Sequence, residues 1–338
     1  MERTIALFLV KNYNRGVVVV ISYAIRRILV LIPTLFVVTF FVFTGLELTP
    51  GDAVSYMVSP DVLANISPES LEQLRESLGL NDPFIVRYFK WMGGVFKGDF
   101  GYSLSSGVPI SEIVFDRLPA TLELSIAALL ISTLLGSILG TVSALKKGGM
   151  VDNILTFIGM IGVSIPQFFF GLVAILIFSF KLGLFPVGGR ILPGHEAFLD
   201  RLPYLILPSL VLGLTMSAGV MRYSRSSMLE TLNKEYIKTA RSKGLPEWRV
   251  NFIHGFRASL SPVIVLIGFR LPMLIGGSVV IEYIFQWPGI GKEFVAAVRF
   301  QNIPLVMMIA LFMVFSVLIA SLLIDIFTAM LDPRIRLE

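Results

Sequence analysis

The stretch "ILVLIPTLFVVTFFVFTGLEL" (Ile28–Leu48) follows the basic pair Arg26-Arg27 and carries one charged residue, Glu47, next to its end. A helix that crosses the hydrocarbon core of a bilayer needs about 20 mostly apolar residues, and this run has that length. It is too long for the core of a signal peptide, and no small-residue cleavage site follows it. It therefore predicts an uncleaved first membrane span. Five further runs of similar character lie at 118–144, 154–180, 204–221, 262–285 and 304–329. Of 338 residues, 55% are hydrophobic and only 15% charged, where a soluble domain carries about 25% charged residues. The fold class that follows is all-α, a polytopic membrane protein with six transmembrane helices. With no cysteine in the chain, disulfides, thiolate-bound zinc and thiol chemistry are excluded.

The net charge of +5 could suit nucleic acid, but the basic residues gather in a few loops, which reads as a topology signal instead. With the N-terminus inside, the inner segments 1–27, 145–153, 222–261 and the tail after 329 hold 17 Lys and Arg, against 10 in the outer segments. The long segment after the first span is rich in acids, including Asp52, Asp61, Glu69, Glu72 and Glu76. Both termini are therefore expected on the cytoplasmic side of a cell membrane. The organisation read from this is an N-terminal leader at 1–27, a first span at 28–48 and an external helical loop at 49–117. A core transmembrane domain at 118–329, which contains the inner loop 222–261, and a tail at 330–338 complete it.

Within the external loop, "SPESLEQLRESLGL" (Ser67–Leu80) opens with a Ser/Glu helix start and stops at Gly79. The aromatics that follow (Phe84, Tyr88, Phe89, Trp91, Phe96, Phe100 and Tyr102) suit a belt at headgroup level. They equally suit a lip that receives cargo or a partner.

One polar segment interrupts the apolar pattern. "EYIKTARSKGLPEWRVNFIHGFRASLSP" (Glu235–Pro262) reads as helix, glycine turn, helix, with Gly244 ending the first helix, Pro246 starting the second and Pro262 opening the fifth span. The first helix is amphipathic and lies outside the membrane. Two readings are open. A basic helix can rest on anionic lipid, each Lys or Arg near the surface contributing roughly 1 kcal/mol, or a rigid helical knob can fill a groove on a soluble partner. The small residues Thr239, Ala240, Ser242 and Gly244 favour the knob, because they permit close backbone approach.

At these residues the chain resembles the inner-membrane permease subunits of binding-protein-dependent ABC importers, in the dipeptide/oligopeptide/nickel group and of the dipeptide-permease-B-like type. The resemblance rests on Tyr236-Ile237-Lys238-Thr239-Ala240-Arg241-Ser242-Lys243-Gly244-Leu245, with Leu260-Ser261-Pro262 where that family has Leu-Ile-Pro. "TPGDA" (Thr49–Ala53), "GDFGYSL" (Gly98–Leu104), "RLPATLELS" (Arg117–Ser125), "IEYIFQWPGIGK" (Ile281–Lys292) and "LDPRIR" (Leu331–Arg336) add to it in order. The resemblance implies the membrane-domain fold of a type I ABC importer. It also implies a heterodimer with a second, non-identical permease, two cytoplasmic ATPase subunits and an external substrate-binding protein. Glu235, Tyr236, Lys238, Thr239, Ala240, Arg241, Lys243 and Gly244 would then form the coupling helix that follows ATPase closure. Peptides are the implied cargo, with oligosaccharides or nickel as alternatives.

No G-x-x-x-x-G-K-[S/T] phosphate loop occurs; "GIGKE" (Gly289–Glu293) lacks the Ser/Thr. This chain is thus expected to have no catalytic site, metal or cofactor, with ATP and magnesium held by partner subunits. Nor does it show an H-E-x-x-H helix or paired intramembrane aspartates, as an intramembrane enzyme would need. An ion-coupled secondary transporter would bury carboxylates. Glu123, Glu282 and Asp325 sit near span ends, where an interfacial place is the ordinary reading.

Arg270 approaches mid-membrane, where a guanidinium needs water, a carboxylate or carbonyls. An acid of the partner permease can supply this, or Arg270 can line the substrate pathway. Ser164 and Gln167, beside Pro166 in "GVSIPQFFF", and Glu282 are further candidate pathway residues; the bland reading of the proline is a simple kink.

Overall fold

The computed structural model describes residues 29–48, 65–77, 79–191 and 197–331. The leader 1–27, the Thr49–Ala53 motif and nearly all of the tail lie outside them. The described residues are helical apart from turns, connecting loops and one bridge pair, Tyr102 with Pro109. That is what a hydrocarbon environment requires, since each helix satisfies its own backbone donors and acceptors.

The chain divides into two compact units, one built from the residues up to Val114 together with those from Ala296 onward, the other from Phe115–Val295. In the first unit, α1 (Leu29–Glu47) is followed by α2 (Pro68–Ser77) and α3 (Phe84–Phe96). The expected start of α2 is present: Ser67 Oγ accepts the N–H of Ser70 at 3.1 Å. Its stop is present too, since Gly79 takes a positive φ of 67°. The α3 aromatics divide between two roles. Phe84, Tyr88 and Trp91 turn inward onto Phe36 and Phe43 of α1 and Met307 of α12 (Ile303–Leu331). The Tyr88 hydroxyl donates to the Phe36 carbonyl at 3.0 Å and bonds Thr39 Oγ1 at 2.9 Å. Phe89, Phe96 and Tyr102 remain exposed. Three of the seven aromatics therefore form an internal seam.

The second unit holds most of α4 (Ile110–Leu145), then α5 (Met150–Ser164), α6 (Gln167–Ala174) with a π-helical turn at Ile175–Lys181, and α7 (Phe198–Leu232). After them come α8 (Glu235–Ser242), a π-helical segment at Arg249–Phe256 running into α9 (Arg257–Gly277), α10 (Val279–Ile284) and most of α11 (Ile290–Arg299). Three expectations change here. The run at 154–180 is bent by 101° between α5 and the α6 segment, because Ile165 and Pro166 leave the helical conformation. The fourth run extends far beyond 204–221, to a helix about 52 Å long, with Pro203 and Pro208 inside it. Pro262 does not open a helix. It lies within one that has already begun.

Small residues let α4 and α7 meet closely. A Cβ on Gly136 would come within 2.5 Å of Val220 Cβ, and one on Gly140 would collide with the Met221 carbonyl. Nearby, Arg225 of α7 donates from Nε and Nη2 to the two carboxylate oxygens of Asp152, each at 2.8 Å. Ser143 Oγ and the Gly148 N–H also donate to Asp152, which ties the α4–α5 turn to α7. A Gly140→Val substitution is expected to lower stability by about 1–3 kcal/mol through overpacking, read as a fall in the thermal unfolding midpoint in detergent. Gly45→Val, where nothing lies within 4 Å of an added Cβ, should lower it far less.

Candidate functional site

The polar segment after α7 builds upward from one turn. Gly244 takes φ 75°, its N–H bonds the Arg241 carbonyl at 2.9 Å, and the Leu245 N–H reaches the Ala240 carbonyl at 3.4 Å. This is a Schellman C-cap, and Leu245 makes the apolar contact that accompanies it. Ile237, with no exposed surface, and Ala240 bury against Val250, with Leu245 packed beside them. Arg241 Nε donates to Glu247 Oε1 at 3.0 Å across the same turn. Pro246 then starts a helix that runs unbroken from Glu247 through Gly277. The end of α7 is held against it: Ser227 Oγ donates to the Ser259 carbonyl at 2.9 Å, and Gly255 leaves room for Met228 and Leu232.

The structure sorts the eight candidate coupling residues. Glu235, Tyr236, Lys238, Thr239, Arg241, Lys243 and Gly244 are exposed, while Ala240 faces inward. The close approach assigned to Ala240 is therefore made within this chain, because its position three after Ile237 puts both on one helical face. Trp248, exposed beside Arg249, joins the outer face. It was missed because a tryptophan among charges gives no periodic signal.

The candidate pathway residues also separate. Arg270 and Gln167 line a cavity of about 490 Å³ at the broken span, with Arg222, Thr215 and Gly219. Arg270 Nη1 donates to the Met216 carbonyl at 2.6 Å, and Gln167 Nε2 to Thr215 Oγ1 at 3.0 Å. Ser164 is not part of the lining; its hydroxyl turns back onto the Met160 carbonyl. Glu282 does not line this cavity either. It is fully buried and accepts from Thr121 Oγ1, Ser278 Oγ and the N–H groups of Gly291 and Lys292. Trp287 Nε1 donates to the Ala120 carbonyl at 2.7 Å in the same block. The "EYIFQWPGIGK" motif is thus a folded corner in which Glu282 satisfies the first turn of α11. Glu123, read as interfacial, pairs with Arg190 at 2.6 Å.

Comparison with known proteins adds to this geometry. The family model "Binding-protein-dependent transport system inner membrane component" matches residues 132–337, and the corresponding N-terminal model matches residues 20–125. The oligopeptide transport system permease protein AppB of Bacillus subtilis is 42% identical over 93% of this chain and 99% of its own length. The di/tripeptide transport system permease protein DppB of Pseudomonas aeruginosa is 36% identical over 94% and 99%. Among solved structures, the MetNI methionine ABC transporter in an inward-facing conformation matches with a TM-score of 0.51 at 15% identity, over 66% of this chain and 98% of that one. An amino acid ABC transporter matches with a TM-score of 0.50 at 14% identity, over 65% and 94%. Both share the fold of this chain.

Removing the Glu282 carboxylate leaves four donors in a buried corner without their acceptor. Glu282→Ala is expected to destabilise the protein by about 3–5 kcal/mol, read as a lower unfolding midpoint in detergent. An unchanged midpoint would mean that the corner does not depend on this residue.

Proposed function

Because the chain belongs to the family of binding-protein-dependent transport system inner membrane components, we propose that it is the permease subunit of an ATP-driven peptide importer that turns ATPase closure into alternating access. The carrying observation is the junction at Ile237. Through it the exposed helix α8 is locked to a helix that continues without a break into the membrane domain. A push on α8 cannot be absorbed at a flexible loop, since the turn that joins the two helices is itself capped and packed.

The same geometry supports a protein groove over a lipid surface as the seat of α8. Lys238 is paired with Glu235 at 2.7 Å and Arg241 with Glu247, so two of the helix's cations are already partly compensated within the chain. Attraction to anionic lipid falls accordingly. Tyr236 and Trp248 instead offer exposed aromatic surface of the kind enriched in protein interfaces.

In this reading the chain forms half of the pathway beside a second, non-identical permease. Two ATPase subunits on the cytoplasmic side hold ATP and magnesium, and an external binding protein delivers the cargo. Both termini are cytoplasmic, and this subunit performs no chemistry of its own. Relatives named for oligopeptides and di/tripeptides support peptides rather than oligosaccharides or nickel, and an ATP-driven rather than an ion-coupled device.

The experiment is reconstitution of the assembled complex in proteoliposomes, with uptake of labelled peptide and ATP hydrolysis followed together. At Gly244, a side chain other than Asn meets the left-handed penalty of about 1–2 kcal/mol. Gly244→Trp is expected to keep the complex assembled and hydrolysing ATP while peptide uptake falls to background. Gly244→Asn, which tolerates this conformation, should retain most uptake. Normal coupled transport in Gly244→Trp would contradict the proposal.

A further inference from the structure

Two arginines that line one cavity of this chain have no carboxylate partner among the described residues. Arg225 has Asp152 and Arg190 has Glu123, but among the described residues neither Arg222 nor Arg270 has a carboxylate within ion-pair distance. A guanidinium stays charged under all ordinary conditions, and Arg270, which approaches mid-membrane, is costly there unless something answers it. The single bond from Arg270 Nη1 to the Met216 carbonyl uses one of its five N–H groups. The site is nevertheless prepared for the charge. A Cβ at position 219 would run into the Arg270 guanidinium, so Gly219 is what lets it lie against α7.

Both arginines line the same cavity of about 490 Å³, whose wall is the break in the third span at Ile165-Pro166. Gln167 lines it as well, with its Nε2 engaged by Thr215 and its Oε1 without a partner among the described residues. Val163, Ile165 and Met216 add apolar lining. Two fixed positive charges, one amide acceptor and an apolar wall are the complement of a carboxylate that follows an amide N–H.

We propose that Arg222 and Arg270 form a carboxylate site in the translocation pathway, which takes the C-terminal carboxylate of the peptide in transit while Gln167 Oε1 accepts from its last backbone amide. The inference rests on the peptide-import reading and deepens it. A pathway that passes many sequences has to hold what they share, and the terminal carboxylate is such a group. Bidentate guanidinium contact supplies orientation without reading side chains. Arg222 is exposed, which keeps the site open on one side and lets the peptide leave.

The test uses the complete complex in proteoliposomes, with binding protein saturated in turn by labelled trialanine and by trialanine carrying a C-terminal amide. Wild type should carry the free acid faster than the amide by about tenfold, the value of one charge-assisted contact. Arg270→Gln and Arg222→Gln should each lose most of that preference by slowing the acid alone. Complex yield should stay unchanged, and Arg270→Lys should fall between. Equal loss on both peptides, or wild-type preference in both variants, would overturn the site. So would loss of the sister permease from Arg270→Gln complexes, which would identify the carboxylate as a side chain of that subunit. A wild-type complex that carries neither peptide would instead overturn the import reading itself.

Discussion

Ile237 has no exposed surface, and the behaviour proposed for this molecule depends on that burial. The residue sits on a helix of eight residues, too short to be stable in water by itself. Packing against Val250, with Leu245 alongside, makes α8 part of the helix that follows. The glycine cap and the Arg241–Glu247 bridge close the same turn from two other sides. What results is a strut with an exposed tip, not a loop with a helical stretch in it. The burial of one side chain is therefore the point at which local structure becomes mechanism.

Within the unit Phe115–Val295 the other polar clusters have a related character. Asp152 draws Arg225, Ser143 and the Gly148 N–H onto one carboxylate. Glu282 does the same for the turn between α10 and α11. Each buried charge is met by several donors, as low-dielectric surroundings demand. These clusters fix helix ends to each other. Arg222 and Arg270 stand apart, because among the described residues neither is paired with a carboxylate, and that contrast marks their cavity.

Much of this was legible in the sequence, for physical reasons that can be named. Long apolar runs have one low-energy fate in lipid, so the helices were readable, and the glycine at 244 announced its turn because few other residues take that conformation. The break at Ile165-Pro166 was visible as a proline, but its 101° bend was not. Prolines 203, 208 and 262 lie inside helices, where neighbouring residues compensate the lost bond. Reading Pro262 as the opening of the fifth span therefore placed a boundary inside a helix that has already begun. Pairs such as Arg190 with Glu123 and Arg225 with Asp152 join residues far apart in sequence, and no local pattern carries them. Glu282 was misplaced because an acid near a span end suggests water, whereas its partners come from Ser278 one turn before it, from the following turn and from α4.

The central claim is rigidity between the tip of α8 and the membrane part of α9, and one distance measures it. The chain contains no cysteine, so spin labels introduced at the exposed positions Lys238 and Ile264 report this distance in the assembled complex. Pulsed dipolar spectroscopy without nucleotide and with the ATP-bound state trapped should give the same narrow distribution, because the strut moves as one body. A shift of about one helical turn, roughly 5 Å, or a broad distribution in either state would show that the junction at Ile237 yields, and would contradict the account.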